Sequence, residues 1–257
     1  MRLSPAEALL QELGVTRPSE IDLEAIAFYV KAEVRYRPLD GCEARILGKA
    51  DRAIITVNQN RSVRRRRFSI AHELGHWHHH RGRKLACRVE EYRPSGLASP
   101  ERTADEYAAN LLMPSYLFRP MARDQKKLNF KAIKEVADIF NVSQTAAAIR
   151  LVEADHTPSM LVCHGLEGRK WFTRAPSVPD RWFPQEALDA ESYAFGIQFG
   201  TDTDSSMLHK IGADAWFDRG GADRFEVQEQ TIRTGPGETL TLLVFCDDAM
   251  LDDPYSR

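Results

Sequence analysis

A chain of 257 residues, 43% hydrophobic and 28% charged, has the composition of a water-soluble protein and length enough for one large or a few small domains. No apolar run approaches the ~20 residues of a membrane span, Met1-Arg2-Leu3-Ser4-Pro5 lacks a signal-peptide core, and no membrane partner is expected. The four cysteines, Cys42, Cys87, Cys163 and Cys246, form no C-x-x-C pair, so reduced thiols and a cytoplasmic location are expected. A net charge of −2 conceals a basic stretch around residues 61–93 and an acidic C-terminal third.

Ser4-Pro5-Ala6-Glu7 reads as an N-cap, a first-turn proline and a capping-box glutamate, predicting a helix that ends near Gly14. A second helix is predicted over Asp22 to Lys31, with Leu23, Ile26, Ala27 and Val30 on its buried face. Three β-prone runs follow, Val34 to Pro38, Ala44 to Leu47 and Ala53 to Asn58. Arg61, Arg64, Arg65, Arg66 and Arg67 then lead into a further helix. They read either as a solvated charged run or as a contact for nucleic acid, an acidic substrate or the acidic third of the chain itself.

That helix carries His72-Glu73-Leu74-Gly75-His76. Residues four apart rise about 6 Å along a helix and leave the same face, so both imidazoles can converge on one ion. Glu73 follows the first of them on the flank of that face, where its carboxylate can serve as general base. A catalytic zinc ion takes three protein ligands and keeps one position open, which requires a donor downstream. In Glu101-Arg102-Thr103-Ala104-Asp105-Glu106-Tyr107, Glu101 and Asp105 share a helix face. Glu101 is the expected third ligand, and Asp105 is placed to accept the free ring N–H of a ligand histidine. His80 lies one more turn along, as a fourth donor or as an exposed or supporting residue. Cys87, between the second and third ligands, is either an ordinary thiol or a thiolate that occupies the open position and holds the enzyme inactive.

The block R-F-S-I-A-H-E-L-G-H-W, followed by E-x-x-A-D-x-Y-A-x-x-L-L-M-P, resembles the ImmA/IrrE family of zinc metallo-endopeptidases over residues 21–114. By position the resemblance implies His72, His76 and Glu101 as zinc ligands, Glu73 as catalytic base and Asp105 in the family's Asn/Asp position. It also implies cleavage of a helix-turn-helix transcriptional repressor in a DNA-damage, mobile-element or phage-defence response. The oxyanion donor is left open between Tyr107, a neighbouring histidine and an arginine.

Beyond Met113-Pro114 a short helical segment leads to Gln125. Two helical stripes between Phe130 and Glu153, broken at Asn141-Val142-Ser143, form a helix-turn-helix-like pattern, with a balanced charge that favours a structural or protein-contacting pair over a DNA reader. From Pro158 the signal is β-prone: Met160 to His164, Lys170 to Arg174, Ala194 to Phe199, Phe225 to Thr234 and Thr239 to Cys246, with one helix near Pro184 to Glu191. Their order resembles the small GAF-like sensor domain that some relatives carry. Trp171, Trp182 and Trp216 are core residues or the lining of a ligand cavity. The expected fold is α+β: a zincin-like peptidase domain over 1–124, a helical segment over 125–156 and an α/β sensor-like domain over 157–257. The expected function is a zinc endopeptidase switched on by a signal such as single-stranded DNA. The alternative is a DNA-binding regulator that keeps a peptidase-like shell.

Overall fold

A computed structural model describes residues 3–80, 100–200 and 203–252, and these form a mixed α+β structure with eight α-helices and two sheets. None of the described helices is long and apolar enough to cross a membrane. Residues 1–121 with 136–143 make one compact unit, and residues 122–135 with 144–257 make another.

In the first unit, helix α1 (Pro5–Glu12) starts with the full capping box: Ser4 accepts from the Glu7 amide and Glu7 accepts from the Ser4 amide. Glu7 is buried because its other carboxylate oxygen accepts the Ser115 amide at 2.6 Å, which pins the start of α5 (Ser115–Arg123) to α1. Helix α2 (Leu23–Tyr29) is capped by Asp22. Strands β1 (Ala32–Arg37), β2 (Ala44–Lys49) and β3 (Arg52–Asn58) form a sheet of order β1-β3-β2, β3 running parallel to β1 and antiparallel to β2. Ile55, fully buried, sits in register between Val34 and Ile46.

Helix α3 (Val63–His79) packs against β2 and β3. Every residue from Ser69 to Trp77 is buried, as for a helix enclosed on all sides. The Trp77 indole N–H donates to the Val30 carbonyl at 2.8 Å, and its ring lies where a Cβ on Gly48 would sit. The arginines are not a lead-in: Ser62 is the N-cap, so Arg64 to Arg67 are the first turns of α3 itself. Helix α4 (Pro100–Leu112) packs on α3, with Ala104 and Tyr107 meeting Gly75, and buries Ala108 and Leu111 as well.

Helix α6 (Phe130–Phe140) belongs to the second unit up to Glu135 and to the first from Val136, and Asn141, at φ 52°, is the left-handed residue of the break before α7 (Gln144–Glu153), which opens the rest of the second unit. A five-stranded antiparallel sheet has the order β5-β4-β8-β7-β6, with β4 (Ser159–Gly165), β5 (Gly168–Arg174), β6 (His209–Gly212), β7 (Glu226–Gly235) and β8 (Glu238–Phe245). Gly237, at φ 65°, supplies the turn between β7 and β8. Two expectations fail here. Tyr193–Phe199 is helix α8 rather than a strand, and no helix covers Pro184 to Glu191. The cause is Ser192, eight residues beyond the predicted start at Pro184, whose side chain caps the Phe195 amide. Trp182 and Trp216 are core: Trp182 meets Phe217 and Phe225 edge-on and donates to the Met250 carbonyl.

One face of this sheet carries a buried polar row, His164 on β4, Thr239 and Thr241 on β8, and Thr231 and Glu229 on β7. Glu229 accepts from the Ala194 amide of α8 at 2.8 Å, from the Trp216 indole at 2.9 Å and from Thr231 at 3.1 Å, which lets a carboxyl sit in the core. Burial pushes the His164 imidazole down to about 4. Between its ordinary 6.5 and about 4 the unfolded chain binds a proton that the folded chain refuses, so stability falls as pH falls through that window. The loss is about 2–3 kcal/mol by pH 4.5. Burial raises the Glu229 carboxyl, whose contribution has the opposite sign, so parent and variant must be compared. Urea midpoints at pH 7 and 4.5, read by tryptophan fluorescence, are expected to fall less for His164→Leu than for the parent. Equal falls refute this assignment.

Candidate metal centre

Helix α3 projects His72 and His76 from one face, and α4 brings Glu101 opposite them. The three offer one donor atom each: His72 Nε2 lies 3.0 Å from His76 Nε2 and 3.1 Å from Glu101 Oε2, and His76 Nε2 is 3.4 Å from the same oxygen. Among the described residues this is the one group of His, Cys, Asp or Glu side chains able to hold a metal ion. A tetrahedral ion with bonds of about 2.0–2.1 Å has ligand–ligand edges of about 3.3–3.4 Å, so the set has the right size.

The groups around the donors bear on which protonation forms they take. His72 Nδ1 meets Asp105 Oδ1 at 2.8 Å. A ring N–H donated there leaves the Nε2 lone pair directed at the cluster, and Asp105 holds it so from one turn beyond Glu101. Burial, then the adjacent His72, lowers the His76 pKa. The hydrogen bond with His72 holds the Glu101 carboxyl below its ordinary range. Two neutral imidazoles and a carboxylate are the forms that bind a cation. Both imidazoles are 1% exposed, whereas 46% of the Glu101 side chain is exposed, so the cluster meets solvent on the α4 side.

Glu73, on the same helix, is fully buried. Gly75 explains how the helices come close enough: a Cβ there would lie 2.8 Å from Ala104 Cα and 2.9 Å from its carbonyl oxygen. Tyr107 packs against that same crossing, stacked on His78, and burial pushes its hydroxyl up to about 12, so it remains a phenol. His80 places Nδ1 3.2 Å from His76 Nδ1, a contact that the repeat His72, His76, His80 signals only as a shared stripe. Cys87 lies outside the described residues.

Arg61 and the four arginines of α3 are engaged within the first unit. Arg61 and Arg65 reach Glu43 at 3.1 and 3.5 Å, and Arg64 pairs with Asp138. Arg66 lies over the Tyr36 ring, and Arg67 donates to the Ile21 carbonyl. The counter-charge that such a run needs is therefore drawn from distant parts of the chain.

Residues 29–152 match the family profile of the IrrE N-terminal-like domain, Peptidase_M78, a stretch that holds β1 to β3, the metal cluster and the α6–α7 pair. No curated protein matches significantly. Among solved structures, a Mycobacterium tuberculosis transcriptional regulator is similar in fold, with a TM-score of 0.59 and 14% identity over 98% of this chain and 80% of that one.

Proposed function

Because the chain belongs to the ImmA/IrrE family through a metallopeptidase-type domain at residues 29–152, we propose that it is a zinc-dependent endopeptidase cleaving a helix-turn-helix transcriptional repressor in the cytoplasm. The observation that carries this reading is the triangle of His72, His76 and Glu101 at ligand-edge distances, with Asp105 on the first histidine. Bound zinc would supply the Lewis acidity that activates water and polarises the scissile carbonyl. His72 and His76 would hold the ion through Nε2 and Glu101 through Oε2. Glu73 takes the proton of the attacking water and returns it to the leaving amine. The antiparallel edge strand β2 runs beside α3, which supports docking of the substrate backbone as an added strand.

The family and the neighbour's description as a transcriptional regulator support a regulatory protein partner, and the repressor is the substrate we propose within that class. The second unit, a sheet with helices α7 and α8 packed on it, is suited to a GAF-like sensor role. Single-stranded DNA acting on the α3 arginines would compete with Glu43 and Asp138 for them. The alternative, a DNA-binding regulator with a peptidase-like shell, is favoured by the same neighbour. Against it, Ala147, Ala148, Leu151 and Val152 of α7 are buried, leaving few side chains to read base edges.

The test is incubation of the full chain with helix-turn-helix regulators from the same genome, those of any adjacent genes first, with and without single-stranded DNA. A single cut, abolished by chelation and restored by zinc, is expected. An intact regulator together with DNA binding by the metal-loaded chain would favour the alternative.

A further inference from the structure

The two ligand histidines are held differently. His72 directs Nδ1 to a carboxylate, Asp105, at 2.8 Å. His76 directs Nδ1 to another imidazole, His80 Nδ1, at 3.2 Å. His80 closes α3, its backbone N–H donating to the His76 carbonyl at 2.8 Å, so backbone and ring both engage the residue one turn earlier.

Two ring nitrogens at hydrogen-bond distance share one proton between them. If His80 donates, the neutral His76 ring carries its own proton on Nε2, pointing at His72 Nε2 3.0 Å away, and cannot ligate. If His76 donates, its Nε2 lone pair faces the cluster. The direction of this one hydrogen bond therefore decides whether His76 is a ligand. In its observed position His80 meets His76 on the ring nitrogen opposite the cluster, so it does not join the donor set itself. A neutral acceptor also suits the charge balance. Glu73, Glu101 and Asp105 already bring three carboxyl groups to the site of a divalent cation, and a fourth in place of His80 would add to the negative charge to be desolvated.

We propose, resting on the metallopeptidase reading above, that His80 is a positioning residue: it accepts the Nδ1 proton of His76 and thereby fixes the ligating tautomer.

The test is zinc affinity of the full chain, measured by competition with a chromophoric chelator, for the parent, Asp105→Ala, His80→Ala and His80→Asn. Loss of a hydrogen-bond partner of a ligand costs about 10- to 100-fold in metal affinity. His80→Ala is expected to lose that much, as Asp105→Ala does. His80→Asn, whose side-chain oxygen can replace the imidazole nitrogen as acceptor, should recover most of it. Nitrogen chemical shifts of His76 in the metal-free protein should show the proton on Nδ1 in the parent and in His80→Asn, and a shift towards Nε2 in His80→Ala. Parent-like affinity in His80→Ala alongside a weakened Asp105→Ala would overturn the assignment and leave the metallopeptidase reading standing. An equal loss in the alanine and asparagine variants would overturn it as well. A parent that takes up no zinc overturns both.

Discussion

Glu73→Gln is expected to retain metal and lose peptide cleavage by about 10²- to 10⁴-fold in kcat, the range for removing a general base. The substitution keeps the shape of a fully buried side chain, so α3 and its ligands should stay in place. An amide has no basic oxygen with which to take a proton at neutral pH, so the loss should appear in kcat with KM little changed. His72→Ala provides the contrast, since it removes a donor and should lose metal together with activity. Metal content by mass spectrometry and turnover on the regulator that the parent cleaves separate the two. A Glu73→Gln protein that turns over at the parent rate would remove Glu73 from the mechanism.

Gly75→Ala is expected to damage the metal centre without touching a ligand. The added methyl would stand 2.8 Å from Ala104 Cα, 2.9 Å from Ala104 O and 3.1 Å from Tyr107 Cβ, two of them backbone atoms that cannot rotate away. The helices must separate, and Ala104 lies between Glu101 and Asp105 on the moving helix. Overpacking of this kind costs about 1–3 kcal/mol, and a centre loosened beyond about 0.5 Å loses its geometry. A lower melting temperature and at least about tenfold weaker zinc binding are expected, given what smaller disturbances around ligands cost. Gly48→Ala is the control: its methyl would meet the Trp77 ring at 2.8 Å, on the far side of α3 from α4, and should lower stability while sparing zinc. Gly75→Ala with the parent's zinc affinity would show that the close crossing does not set the centre.

Much of this was legible in the chain because it is local. The capping box at Ser4, the period of the first helices and the four-residue repeat of His72 and His76 depend on neighbours within a turn or two. Glu101 was legible for the same reason, as one of two carboxylates a turn apart on a helix that could supply the missing donor. The misread segment, Tyr193–Phe199, is short and rich in aromatic residues. Its helical state depends on Ser192 at its start and on a Glu229 carboxylate from a distant strand taking the Ala194 amide. The arginine run showed its charge but not its partners, since Glu43 and Asp138 lie in other elements. A stripe of histidines placed His80 on the right face, but which of its nitrogens meets His76 is a matter of side-chain rotation.

The donors of the centre lie on two helices, His72 and His76 on α3 and Glu101 on α4. An ion gripped by both would close a loop of about 25 residues. By the chain-entropy account a permanent cross-link of that span contributes about 3.5 kcal/mol by restricting the unfolded chain. Zinc would then be a removable staple as well as a reagent. A cell short of the ion would hold molecules that are idle and also shorter-lived, so the metal supply would set how much of the protein survives.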